Sequence, residues 1–223
     1  MKWLAPDGVV AAFGVGACVW WRFGWRGAVL LFAFLISGSL LTRFATGRPP
    51  RRTGRQVLAN GAVSAAAALV GSWSATAGAL AAAAADTWAT EVGSFSPFPP
   101  RLITTWAPVG RGVSGGVTAL GTLGGVAGAA VIALCGHTLA PASPAPALVS
   151  LTVAGVAGMV VDSALGATVQ AVYECPACAA RSERGDTVCH EPVRLIRGWR
   201  WLDNDGVNLA ATLVGAGVML AGS

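Results

Sequence analysis

Apolar residues along this chain fall into seven stretches, at about 3–21, 25–43, 57–71, 73–92, 113–135, 147–170 and 206–222. A bilayer core about 30 Å thick is crossed by about 17–25 mostly apolar residues in a helix. Each stretch therefore predicts a spanning helix, and together they predict an all-α polytopic membrane helix bundle of about seven transmembrane helices. A short turn at 22–24 joins the first two. The third and fourth are Ala-rich and insert poorly on their own. The fifth carries Gly121, Gly124, Gly125 and Gly128, and the sixth Gly155, Gly158 and Gly166. Such small-residue spacing lets helix backbones approach closely.

Composition agrees. Of 223 residues 54% are hydrophobic and 11% charged, against about 25% charged in a soluble domain. The whole chain, 1–223, reads as one integral membrane domain. The start, Met1-Lys2-Trp3-Leu4, lacks a strongly basic region, so the first stretch is expected to stay as a span rather than act as a cleaved signal. Thirteen of the fifteen Lys and Arg residues fall on one side of a seven-span topology, leaving Arg22 and Arg26 on the other. Basic loops face the cytoplasm, so the N-terminus is expected inside and the C-terminus outside, in a prokaryotic plasma membrane. The acids gather on the same cytoplasmic face, including those of a Cys-containing loop at about 171–204. Chemistry is expected there, with membrane lipids as partners and no nucleic acid.

Asp86 ends a hydrocarbon run, and Glu91 follows five residues later. A carboxylate at such a depth is expensive and reads as functional by default; the alternative is that Asp86 merely ends a helix and Glu91 is solvated. Asp162 lies inside the sixth stretch and needs a cation beside it. Asp203 and Asp205 open the seventh, where capping is the ordinary explanation; Asn208, one turn further in, is not explained that way. Asn60 sits four residues after Gln56 on one helix face. The basic loop 43–55 is either a positive-inside anchor or a lid that holds phosphates. Between Arg101 and the fifth stretch, Thr104, Thr105, Arg111, Gly112, Ser114, Gly115 and Gly116 read as an anion site at a helix N-terminus. Oxygen ligands from Asp86, Asp162, Asp203 and Asp205 suit Mg²⁺, which commonly binds through carboxylates and substrate phosphates. The combination reads as phosphoryl or nucleotidyl transfer on a lipid. Cys175, Cys178, Cys189 and His190 have spacing compatible with structural Zn²⁺, or are unligated thiols.

Several motifs occur in a fixed order: Gln56-Val57-Leu58-Ala59-Asn60-Gly61, Ala85-Asp86-Thr87-Trp88-Ala89-Thr90-Glu91-Val92-Gly93, Pro100-Arg101-Leu102-Ile103-Thr104-Thr105, Gly115-Gly116-Val117, Asp162-Ser163-Ala164-Leu165-Gly166 and Trp201-Leu202-Asp203-Asn204-Asp205-Gly206-Val207-Asn208. By these the chain resembles the domain-of-unknown-function 92, or transmembrane protein 19, family, which the plant phytyl-phosphate kinase also resembles. The resemblance implies a membrane kinase that converts an isoprenyl (phytyl or geranylgeranyl-type) monophosphate to its diphosphate, with CTP or another nucleoside triphosphate as donor. Asp86, Glu91 and Asp162 would be catalytic. Asn60, Arg101, Thr104, Arg111, Gly112, Ser114, Gly115, Gly116 and Asn208 would bind nucleotide or phosphate. An isoprenoid alcohol kinase is the alternative within the enzyme class. A lipid or small-solute transporter is the alternative outside it, although polar residues stop on one side of the bundle. The cysteine loop is not general to the family, so zinc there would not be catalytic.

Overall fold

Residues 79–85 are six alanines and one leucine, too small to be strongly lipophilic yet well suited to close approach from every side. In the computed structural model, which describes residues 3–142, 145–183 and 192–222, this run is completely or almost completely buried. It lies in α3 (Trp73–Gly93), which packs against each of the other five helices of the described residues: α1 (Pro6–Thr46), α2 (Gly54–Leu69), α4 (Ala119–Thr138), α5 (Leu148–Thr168) and α6 (Asn204–Ala221). A Cβ on Gly78 would lie 2.5 Å from the carbonyl oxygen of Gly215, and one on Gly155 would lie 3.0 Å from that of Ala81. The helices meet backbone to backbone, the mode of association available where no hydrophobic gain separates protein from lipid.

The chain is thus a mostly helical, polytopic membrane protein. By length and composition α1, α4 and α5 are each able to cross a bilayer. The first two predicted spans form α1, a helix of 41 residues interrupted at Gly24. There φ is 57° and ψ −141°, a conformation that glycine adopts without steric cost. The chain doubles back at this point: Gly27 packs on Val19, and Arg52 touches both Gly8 and Gly38.

Two small sheets modify the all-α expectation. β1 (Arg101–Leu102) pairs antiparallel with β2 (Gly116–Val117). β3 (Val172–Glu174) lies between β4 (Arg181–Ser182) and β5 (Arg194–Arg197), again antiparallel. Prolines keep the first segment out of a helix, and strand pairing then satisfies its backbone. The fifth helix correspondingly begins at Ala119, not near 113. Thr118 caps it, its Oγ1 accepting from the Gly121 N–H at 2.9 Å. Gly112 and Gly115 have φ of 81° and 80°, outside helical space, so the glycine turn precedes the helix instead of opening it.

Polar helix ends collect at one pole of the bundle. The Asp7 carboxylate accepts from the Gly54 N–H at 2.7 Å, joining the starts of α1 and α2. Thr42 reaches Glu91 near the end of α3, and Arg55 of α2 pairs with Asp203 and Asp205 at the start of α6. At the other pole Trp73 Nε1 donates to the Gly136 carbonyl at 2.6 Å.

Gly78→Val should force α3 and α6 apart, at an overpacking cost of about 1–3 kcal/mol. Gly217→Val adds a side chain where nothing lies within 4 Å. Thermal melts of the purified protein in detergent should therefore show a lowered midpoint for the first variant and an unchanged one for the second.

Candidate functional site

Asp86, Thr87, Thr90 and Glu91 share one face of α3, because offsets of one, four and five residues fall together in a helix of 3.6 residues per turn. That face turns into a polar cavity of about 410 Å³ at the charged pole. Gln56 and Asn60 of α2 and Asn204 and Asn208 of α6 complete its walls, with Thr42 at the end of α1 and Pro50, Arg51 and Arg52 from the connecting loop. Four of the sequence-predicted residues, Asp86, Glu91, Asn60 and Asn208, therefore come together from three helices.

Arg52 is held from both sides of its backbone. Its N–H donates to the Trp3 carbonyl at 3.1 Å, and its own carbonyl accepts from the Ala5 N–H at 2.9 Å. The loop is tethered here, not free-standing. The guanidinium lies over the Phe34 ring, 5.5 Å from its centroid, and faces the field of Glu91. Burial lowers its pKa from the ordinary arginine value, and the Glu91 carboxylate works against that shift. Among the described residues its side chain has no ion pair or hydrogen bond. Glu91 is held in turn by Thr42, whose Oγ1 donates to Oε1 at 2.6 Å. Asn60 Nδ2 donates to the Gln56 carbonyl at 3.0 Å, which fixes the amide along its own helix.

The Asp86 and Asp162 carboxylates meet side chain to side chain, joining α3 to α5. Asp162 Oδ2 is buried without a hydrogen-bond partner. Two carboxylates in contact cannot both stay ionised without a proton or cation between them, and an all-oxygen donor set matches a hard divalent cation. The expected four-carboxylate set divides, however. Asp203 accepts the Gly206 N–H at 3.1 Å as the α6 cap and pairs with Arg55 at 2.6 Å. Asp205 lies 3.4 Å from Arg55. Among the described residues no three His, Cys, Asp or Glu side chains cluster as a metal site.

The expected anion turn stands apart from this cavity. Arg111 donates to the Ser94 and Ser96 carbonyls, the latter at 2.6 Å, and so clamps the loop after α3. Arg101 donates to the Trp106 carbonyl at 2.7 Å. Gly115 and Gly116 follow the turn at Gly112, and Gly115 abuts Ala167 at the end of α5 with no room for a side chain. Ser114 bonds to Glu183 and receives a weak 3.4 Å contact from Gln170. Glu183 also acts electrostatically on Asp162, so this group lies on the Asp162 side of the carboxylate pair. Thr104 is exposed. Of the proposed zinc ligands, Cys175 is buried and Cys178 exposed in the turn between β3 and β4. Cys189 and His190 lie outside the described residues.

Sequence reasoning missed Thr42, Thr87 and Thr90, and it took Arg51 and Arg52 only as part of a loop. The threonines of α3 were findable from their spacing to Asp86 and Glu91. Thr42 was not, because it reaches the site only through the reversal at Gly24.

The chain is 32% identical over 177 residues to an uncharacterized membrane protein of Methanocaldococcus jannaschii, covering 74% of each. It is 28% identical to one of Synechocystis, covering 98% of this chain and 82% of the relative. It is also 24% identical to Protein VTE6, chloroplastic, of Arabidopsis thaliana, covering 96% of this chain and 63% of that protein. No solved structure was found to match. The family model described as integral membrane protein DUF92 matches residues 1–216, and the chain belongs to that family of integral membrane proteins.

Proposed function

We propose that the polar cavity transfers a phosphoryl group from a nucleoside triphosphate to an isoprenyl monophosphate, giving the diphosphate. The observation that carries this reading is the cavity's mixed charge: Arg51 and Arg52 from the connecting loop line the same cavity as Asp86 and Glu91 of α3. The resemblance to plant phytyl-phosphate kinase supports the substrate class and leaves CTP as one donor among several. A phosphomonoester is largely a dianion at pH 7, its second pKa being about 6. It can attack without a general base, so positioning and charge neutralisation suffice.

Arg52 and Arg51 would hold the acceptor phosphate. Asn60, Gln56 and Asn208 would orient phosphate oxygens, and Glu91, fixed by Thr42, would orient Arg52. An oxygen of the lipid phosphate forms a bond to the γ-phosphorus, the bond from that phosphorus to the β–γ bridging oxygen breaks, and the electron pair leaves with the nucleoside diphosphate. Asp86 and Asp162 fit Mg²⁺ through their contact and the unpartnered Asp162 Oδ2. A bound Mg²⁺ would supply charge neutralisation at the nucleotide phosphates. Asp203 and Asp205, paired with Arg55, would instead fix α6 so that Asn204 and Asn208 face the cavity. Arg101 and Arg111 would shape the neighbouring loop.

Counting the two arms of α1 separately gives seven crossings, with the N-terminus and the cavity on the cytoplasmic side. The thirteen-to-two distribution of basic residues supports this orientation. Convergence of the polar groups at one pole favours a catalytic site over a transport path, which would continue across the bundle.

Purified protein given geranylgeranyl monophosphate, Mg²⁺ and labelled CTP, ATP, GTP or UTP should form lipid diphosphate with at least one donor, and EDTA should abolish it. Absence of product with every donor, from protein shown to be folded, would overturn the reading. Asp86→Asn should lower kcat by about two orders of magnitude or more, the scale on which loss of an electrostatic stabiliser acts. Arg52→Gln should mainly raise KM for the lipid phosphate, leaving KM for the nucleotide nearly unchanged. For topology, with the five native cysteines replaced by serine, Arg48→Cys should react with impermeant thiol reagents only from the cytoplasmic side, and Ala142→Cys only from the opposite side.

A further inference from the structure

A second and larger cavity, about 700 Å³, adjoins the polar one. Its walls are the two arms of α1, with α2 and Leu80 of α3 behind them. Phe13, Trp20, Leu31 and Leu35 supply much of the surface, and from Val9 to Trp20 it follows about 17 Å of helix. Its only charged or amide-bearing lining residues are Arg52, Gln56 and Asn60. All three also line the polar cavity. The volume lies within the range of about 300–1,000 Å³ usual for ligand pockets.

We infer that this groove receives the hydrocarbon chain of the lipid whose phosphate occupies the polar cavity, so that Arg52 marks the junction between head and tail. The occupant follows from continuity and charge. An apolar channel ends at a guanidinium that has no ion pair among the described residues, and an anionic head joined to a long chain is complementary to both parts. A soluble phosphate compound would leave the groove without a role. The aromatic lining suits a flexible chain: Phe13, Trp20 and Phe32 are exposed at the groove's outer edge, where the chain would enter from the bilayer. The assignment of the tail rests on the phosphate reading of the polar cavity, but not on any transfer reaction.

Two glycines provide a matched test. Gly16 lines the groove, and a Cβ on it would meet nothing within 4 Å. Gly14 has equal room but faces away from the groove. Gly16→Phe should therefore plug the groove, while Gly14→Phe should only add to the exposed surface. The probe is a long-chain isoprenyl monophosphate with a diazirine at its far end, photolysed with the full-length protein in detergent and no nucleotide. Labelling in the unchanged protein should map to the α1 arms. It should fall at least tenfold in Gly16→Phe and remain in Gly14→Phe, while a five-carbon isoprenyl monophosphate carrying the same diazirine should label the Arg52 end equally in both variants. Equal labelling of the two variants, or labels spread over α4 and α5, would overturn the inference. Retained groove labelling together with absent lipid diphosphate formation would count against the kinase and not against the groove.

Discussion

Close approach of helix backbones to α3 is the constraint on which the rest of this bundle depends. A leucine-rich centre would hold its neighbours about 8–10 Å or more from its axis. Alanine and glycine remove that spacing, and the carbonyls of Gly215 and Ala81 come within contact of Gly78 and Gly155. The result is a helix with almost no lipid-facing surface through its middle. Such a helix can carry Asp86 and Glu91 at its polar end, because protein rather than hydrocarbon surrounds them.

The same constraint explains how much of the fold was legible in the sequence. Apolar length located all the helices to within a few residues, except where glycine delayed α4. It did not disclose which helix is central, because hydropathy measures affinity for lipid, and the central helix is the one that meets least of it. The Ala-rich character of residues 79–85 therefore looked like weakness in a span, whereas it is the requirement for being enclosed. The reversal at Gly24 was visible as a break between two spans. Its consequence, that Thr42 and Arg52 meet Glu91 and Phe34, depends on packing angles that no local pattern encodes.

The site was legible in the same uneven way. Carboxylates and amides in apolar surroundings declared themselves through their cost, and Asp86, Asp162, Asn60 and Asn208 were singled out as candidates on that ground. Arg51 and Arg52 did not, because a basic loop beside a membrane has an ordinary explanation, and Arg101 and Arg111 were singled out instead. Their roles separate only in three dimensions. Arg55 binds Asp203 and Asp205, Arg111 binds loop carbonyls, and Arg52 is left facing the cavity. The glycine turn was misplaced for a related reason: glycines before an apolar stretch suggest a helix start, but two positive φ angles and a strand pairing move that start to Thr118.

One residue joins the structural and chemical readings. Arg52 is secured through its backbone to residues 3 and 5 and lies beside Gly38 and Phe34. The N-terminal segment and the first arm of α1 therefore meet the Arg52 backbone, while its guanidinium lies against the second arm. Partial burial makes a cation without a close anion costly, so a fold that keeps one there gains most when an anion arrives. Glu91 is near enough to bias the guanidinium electrostatically but is itself engaged by Thr42. On the proposed reading, an incoming anion would also have to be compatible with Asp86 in the same cavity, which would favour a phosphate accompanied by a cation over a bare carboxylate. A lipid phosphate beside a metal-bound nucleotide would meet that condition, since each negative group would then have its own positive neighbour.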